Sequence, residues 1–173
     1  GAYRVVKATK NKKKLSTASW NVIMPEAGTY AVYISYKSLP NSATDVAYRI
    51  NALDGEHNFV VNQQMGGGTW VYLGTFDFDA GSSAFNRVVV TNRSGKKGVV
   101  STDAVRFGGG MGNISRGGKT SGMPRCLEGA RYYAQWAGMP SSVYNGREGT
   151  DDYADDINTR SHATNYIGGG SCY

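Results

Sequence analysis

Few residues in this chain carry reactive chemistry, and their spacing narrows what each could do. Cys172 and His162 supply a thiol and an imidazole, the pair that a cysteine nucleophile needs. Such a nucleophile must sit on a rigid element beside a base oriented by a third group. Cys172 instead follows three glycines and stands one residue from the end of the sequence, which does not meet that requirement. Cys126 and Cys172 allow a disulfide without requiring one. Asp151, Asp152, Asp155 and Asp156 offer oxygens to a calcium ion, but calcium sites gather their ligands on a glycine-turned loop. Their spacing fits better the negative charge that stabilises a helix N-terminus.

A second group of residues could hold a ligand without reacting with it. Trp20, Trp70 and Trp136 carry rings able to pack on the apolar face of a pyranose. Their positions on expected strands and a helix favour core or interface packing, since large aromatics dominate burial. Tyr48, Gln63 and Tyr72 remain as surface candidates for carbohydrate contact. Charge is uneven: residues 1–110 hold thirteen Lys/Arg and seven Asp/Glu, whereas residues 111–173 hold six of each. Much of the excess is Lys7, Lys10, Lys12, Lys13 and Lys14. No aromatic interrupts that run to stack on bases, so it reads as a solvated turn guarding a sheet edge and nucleic acid is not expected as a partner. No apolar run approaches the roughly 18–20 residues of a membrane helix.

These residues sit in two regions of different grammar. Twenty-four glycines and twelve tyrosines favour short strands and tight turns over helix bundles. Strands are expected at Tyr3–Ala8, Thr17–Met24, Thr29–Tyr36, Asp45–Leu53, Asn58–Gln63, Thr69–Phe78, Asn86–Asn92 and Val99–Phe107. Between Thr29 and Tyr36 the alternation puts Tyr30, Val32, Ile34 and Tyr36 on one face, the period of a strand. Turn sequences such as Leu53-Asp54-Gly55 and Ala80-Gly81-Ser82 separate the runs. Even spacing predicts a mainly β fold, an antiparallel β-sandwich of jelly-roll type over residues 1–110. Over residues 111–173 the pattern changes to a glycine-rich linker and about two helices, Cys126–Ala137 and Asp151–Tyr166. On the first, Leu127, Ala130, Tyr133, Ala134 and Ala137 form an apolar stripe; on the second, Tyr153, Ile157 and Ala163 are the apolar positions.

The sandwich region resembles the golvesin C-terminal and xanthan-lyase-associated domain, a bacterial β-sandwich described as carbohydrate-binding-like. The residues that carry the likeness are Ser19-Trp20, Pro25 with Gly28-Thr29-Tyr30, Val32-Tyr33, Ala47-Tyr48, Asn62-Gln63, Gly68 with Trp70, Leu73-Gly74, Phe76, and Asp103-Ala104-Val105-Arg106-Phe107. This resemblance implies a non-catalytic module of a secreted, periplasmic or cell-surface hydrolase, with a glycan or peptidoglycan as its partner.

The remainder is similar to part of a zinc-dependent N-acetylmuramoyl-L-alanine amidase domain, through Gly122-Met123-Pro124-Arg125-Cys126-Leu127-Glu128-Gly129-Ala130-Arg131 and Arg160-Ser161-His162-Ala163-Thr164-Asn165. That family places a zinc-ligand glutamate where Glu128 stands; an acidic residue in a helix's first turn is the alternative reading of the same position. Two histidines and a further glutamate would complete such a site around an activated water. His57 and His162 lie outside the motifs that supply those histidines. The expectation is therefore a chain with no cofactor and no hydrolytic activity of its own, with zinc and the remainder of the amidase-like domain belonging to an intact parent.

Overall fold

The computed structural model describes residues 2–108, 115–116, 119–120, 127–148 and 150–170. Within them the chain forms two compact units, Gly1–Gly67 with Val71–Gly108, and Gly68–Trp70 with Gly109–Tyr173.

The first unit is built from nine strands: β1 (Arg4–Lys7), β2 (Thr17–Met24), β3 (Gly28–Ser35), β4 (Val46–Ala52), β5 (Gly55–Val61), β6 (Val71–Phe78), β7 (Gly81–Thr91), β8 (Val99–Thr102) and β9 (Ala104–Phe107). All of their ladders are antiparallel, in the orders β2-β7-β4-β5, β6-β3-β9 and β1-β8. The expected β-sandwich is the observed fold. Period-two alternation builds it: Val46, Tyr48, Ile50 and Ala52 of β4 and Val88 and Val90 of β7 enter one core with Val32, Ile34 and Phe78. Removing these side chains from water is the main favourable contribution to folding. The lysine run forms an exposed 3-10 turn, Lys12–Lys14, opened by Asn11, whose side chain accepts from the Lys13 N–H at 3.0 Å.

Several boundaries differ from the sequence pattern for local reasons. The run Val99–Phe107 is two strands, because Asp103 leaves the β1 ladder and gives its N–H to Ser35 O at 3.1 Å. Strand β7 begins at Gly81, five residues earlier than expected, and its register against β2 jumps between Asn21 and Ile23. Buried Asn86 secures that irregular stretch by donating to Asp79 O at 2.8 Å and Gly81 O at 3.0 Å.

Among its described residues the second unit contains a two-residue ladder, β10 (Ser115–Arg116) with β11 (Lys119–Thr120), and the helices α1 (Ala130–Trp136), α2 (Ser141–Tyr144) and α3 (Asp152–Ile167). Helix α2 was not expected from the sequence; at four residues it is too short for apolar periodicity to show. Helix α1 starts four residues later than predicted, leaving Leu127 outside it and exposed, while Ala134, Trp136 and Ala137 are buried. Trp70 was expected on a strand of the sandwich core. Instead β6 begins at Val71, and Gly68–Trp70 belongs with the helices. Thr69 Oγ1 and the Trp70 N–H both donate to Ala137 O, at 2.8 and 3.1 Å. Ala137 caps the C-terminus of α1, so these bonds satisfy a carbonyl that the helix itself leaves open.

Helix α3 reverses the expected polarity. Tyr153 is 76% exposed and Ile157 is exposed, whereas Asp155, Asp156 and Thr159 are buried. Arg131 on α1 is the cause. Its guanidinium donates to Asp152 Oδ1 at 2.5 Å and Asn145 Oδ1 at 2.9 Å and stands 3.5 Å from Asp155 Oδ2, while its backbone N–H donates to Asp156 Oδ1 at 3.0 Å. Burial of those carboxylates is tolerable because each is paired.

Candidate functional site

Three residues were singled out for carbohydrate contact, and the structure separates them. Tyr48 is 1% exposed and Gln63 is 0% exposed, which corrects their reading as surface residues. Tyr48 points inward with Val46, Ile50 and Ala52, the face that β4 turns to the core. Burial pushes its phenol up to about 12. The amide of Gln63 donates to Tyr48 Oη at 3.2 Å and to Ser101 O at 2.8 Å, leaving nothing for a ligand. Tyr72 is 51% exposed on β6, where its ring packs on Tyr33 at 5.3 Å between centroids and its hydroxyl bonds Thr75 Oγ1 at 2.6 Å.

Glu128 lies just before α1, whose N-cap is Gly129 and whose first turn holds no acidic residue. The first-turn reading of Glu128 is therefore corrected. Among the described residues no three His, Cys, Asp or Glu side chains come together as a metal site. The four aspartates at the start of α3 have other work. Asp151 is the N-cap, accepting from the Ala154 N–H at 3.0 Å, and Asp152, Asp155 and Asp156 meet Arg131. Tyr132 adds a hydroxyl to Asp152 Oδ1 at 2.6 Å. Cys126 and Cys172, and with them the disulfide and the thiol reading, lie outside the described residues.

A concave surface that combines aromatic and polar groups is a cleft between β1 and β2, both of which end their ladders on one side. One end of it, about 300 Å³, is lined by Ala2, Tyr3, Arg4, Ala18, Ser19, Trp20, Thr102 and Asp103. The other end, about 360 Å³, shares Arg4, Ala18 and Thr102 and continues over Val5, Val6, Val90 and Val100. Trp20 faces inward from β2, packs against the core and presents its remaining surface to the cleft. Tyr3 is exposed and also lines the cleft, and Arg4, Ser19 and Asp103 supply charge and hydroxyl. Aromatic faces with a few convergent polar groups in a pocket of this size are the chemistry of a small-molecule or saccharide subsite. Sequence reasoning weighed Trp20 but missed Tyr3, Arg4 and Asp103. They come from the start of β1 with the residue before it and from the β8–β9 junction, so no local spacing joins them.

Comparison with known proteins follows the same division. Residues 1–109 match the profile of the Golvesin C-terminal domain. A xanthan lyase of Bacillus sp. (strain GL1) is 32% identical over 84 residues, which is 49% of this chain and 9% of that protein. The structure of a Paenibacillus xanthan lyase aligns over 61% of this chain and 13% of its own, at 23% identity and a TM-score of 0.44. This chain thus spans about a tenth of the length of those relatives. The family match takes in well over half of the residues and coincides with the strands that form the cleft: the chain belongs to the Golvesin C-terminal domain family.

Proposed function

We propose that the sandwich is a non-catalytic carbohydrate-binding module of a secreted, periplasmic or cell-surface bacterial protein that acts on polysaccharide or cell wall. The observation that carries this reading is a cleft lined by two aromatic residues, Tyr3 and Trp20, together with Arg4, Ser19 and Asp103. Kinship with a xanthan lyase supports a polysaccharide over another ligand class. Binding of the chain to xanthan, peptidoglycan sacculi and neutral glucans tests it. Tyr3→Ala, at an exposed position, is expected to weaken retention about tenfold by removing one stacking wall. Trp20→Phe, which keeps a core-filling ring, should weaken it less. Absence of binding to every glycan, or binding that neither variant alters, would leave the sandwich as a purely structural insert.

For residues 111–173 the finer reading is a portion of an amidase-like domain, with Glu128 as one ligand of a zinc ion whose other ligands belong to the parent protein. Its support is the Gly122–Arg131 motif together with the placement of half-buried Glu128 at the start of α1. Zinc bound by such a parent would supply Lewis acidity to a bound water; this chain would contribute the position of Glu128, fixed by the α1–α3 pairing through Arg131. Zinc content of the full-length parent, with and without Glu128→Ala, decides it: unchanged stoichiometry would remove Glu128 from the ligand set.

A further inference from the structure

The sheet β2-β7-β4-β5 turns to solvent a polar face that the sandwich does not use. Register aligns Asn21, Arg87, Asn51 and Glu56 in one row across all four strands, and Ser19, Val89, Arg49 and Asn58 in the next. Pairing in the first row is unfinished. Asn51 is only 9% exposed and donates to Glu56 Oε1 at 3.3 Å, yet its Oδ1 is buried without a hydrogen-bond partner. Beside it the Arg87 Nε is also buried and unbonded. Among the described residues no carboxylate lies within ion-pair distance of Arg87. Buried polar groups are normally satisfied, so an unused donor beside an unused acceptor marks a place where a ligand completes the set.

Basic side chains outnumber acidic ones along the face. Arg49 stands diagonally from Arg87, and Arg93, two positions beyond Thr91 on the same side of the β7 line, borders with Lys10 and Ala47 a cavity of about 530 Å³. The acidic groups nearby are engaged: Glu56 with Arg49 at 3.2 Å, and Asp45 with Ser94 Oγ and with the Gly95 N–H at 2.8 Å. Those bonds, from Ser94 first, hold the Asp45 carboxyl below the usual carboxylate range, so it remains bound to its own loop. No aromatic ring stands in the two rows, which removes the stacking that single-stranded nucleic acid binding relies on.

We propose that this face binds a carboxylated polysaccharide. The Arg87 guanidinium would take a uronate carboxylate through two N–H groups, the geometry that favours arginine over lysine. Asn51 Oδ1 would accept from a sugar hydroxyl, and Arg49, Arg93 and Lys10 would extend the attraction along the chain. The proposal rests on the carbohydrate-binding reading above and adds to it a second surface and an anionic ligand class.

Isothermal titration of the whole chain with polygalacturonate, dextran and single-stranded DNA tests it, alongside Arg87→Glu and Arg87→Lys checked by thermal melting. Wild type is expected to bind polygalacturonate more weakly as salt rises, with Arg87→Glu losing about tenfold or more. Arg87→Lys, which keeps the charge and the fold, should lose part of that, because an ammonium cannot form the fork. No binding to polygalacturonate, equal binding by both variants, or DNA binding as tight as polyuronate would overturn the proposal. Xanthan or glucan binding that persists and depends on Tyr3 would then leave the cleft reading intact, whereas loss of all glycan binding would sink both.

Discussion

Gln63 grips Ser101 with both atoms of its amide. Oε1 accepts from the Ser101 N–H at 2.9 Å, and Nε2 donates to Ser101 O at 2.8 Å. Both residues are fully buried, one just past β5 and the other on β8, so a single side chain replaces a missing rung between ladders that do not otherwise pair. Gln63→Leu keeps the volume and leaves a backbone donor and acceptor stranded in the core. Destabilisation of about 3 kcal/mol is expected from the two stranded groups, read as a fall in the urea midpoint of the β-sheet circular dichroism transition. A change under about 0.5 kcal/mol, the usual range of surface substitutions, would mean that other groups satisfy Ser101.

The same interior makes the sandwich sensitive to alkali. Burial holds the phenol of Tyr48 at about 12 and raises that of Tyr36 further, with Tyr36 Oη donating to Met65 O at 2.7 Å. Both folded-state values exceed the unfolded one, so the native state keeps these protons longer. The associated stability is complete below the ordinary tyrosine value near 10 and is lost as pH rises from there through the folded values. Denaturation followed between neutral pH and strong alkali should show a steep loss in that window. Tyr48→Phe should shallow it; an unchanged slope in that variant would place the titration elsewhere.

How much of this was legible in the sequence depended on which force set each position. Strand β2 follows its pattern to the residue, and Val32, Ile34 and Tyr36 face inward as period two requires, because burial of apolar groups decides both. Tyr48 was misread for its hydroxyl, although its alternation with Val46 and Ile50 already pointed it into the core. Helix α3 could not be read from polarity at all. Its buried face is Asp155, Asp156 and Thr159 because Arg131, more than twenty residues away, supplies the compensating charge. The polar rows around Arg87 were equally hidden, since they exist only once four strands are in register.

That dependence on Arg131 is testable. Arg131→Met preserves most of the side-chain length but removes the guanidinium's bonds to Asp152 and Asn145 and takes away the cation beside buried Asp155. Breaking one side of a buried ion pair costs about 3–5 kcal/mol, more than a small helical unit is expected to spare. Helical circular dichroism should fall in Arg131→Met while the strand signal persists. The double variant Arg131→Met with Asp155→Asn should recover part of the helix signal, as removal of the uncompensated charge requires. Full helicity in the single variant would show that the aspartates are satisfied by other groups.

Gly98 marks a point where backbone geometry, more than side-chain chemistry, fixes the sandwich. Its φ is +145°, and a Cβ there would stand 2.6 Å from Asn41 O. That carbonyl already accepts from the Val99 N–H at 3.0 Å, and Gly98 O accepts from the Ala8 N–H at 2.9 Å. The entry to β8 is thus locked to two other segments and cannot step aside. Gly81, at φ +72°, has no atom within 4 Å of a built Cβ, so it isolates the conformational part of the penalty. Gly81→Ala should cost about 1–2 kcal/mol, the left-handed strain alone. Gly98→Ala adds a backbone clash and should cost about 2 kcal/mol more, within the range of overpacked sites, measured as the difference in urea midpoint between the two variants. Equal losses would mean that the Asn41 loop relaxes, and that the β8 entry is held by its hydrogen bonds and not by the closeness of its backbone.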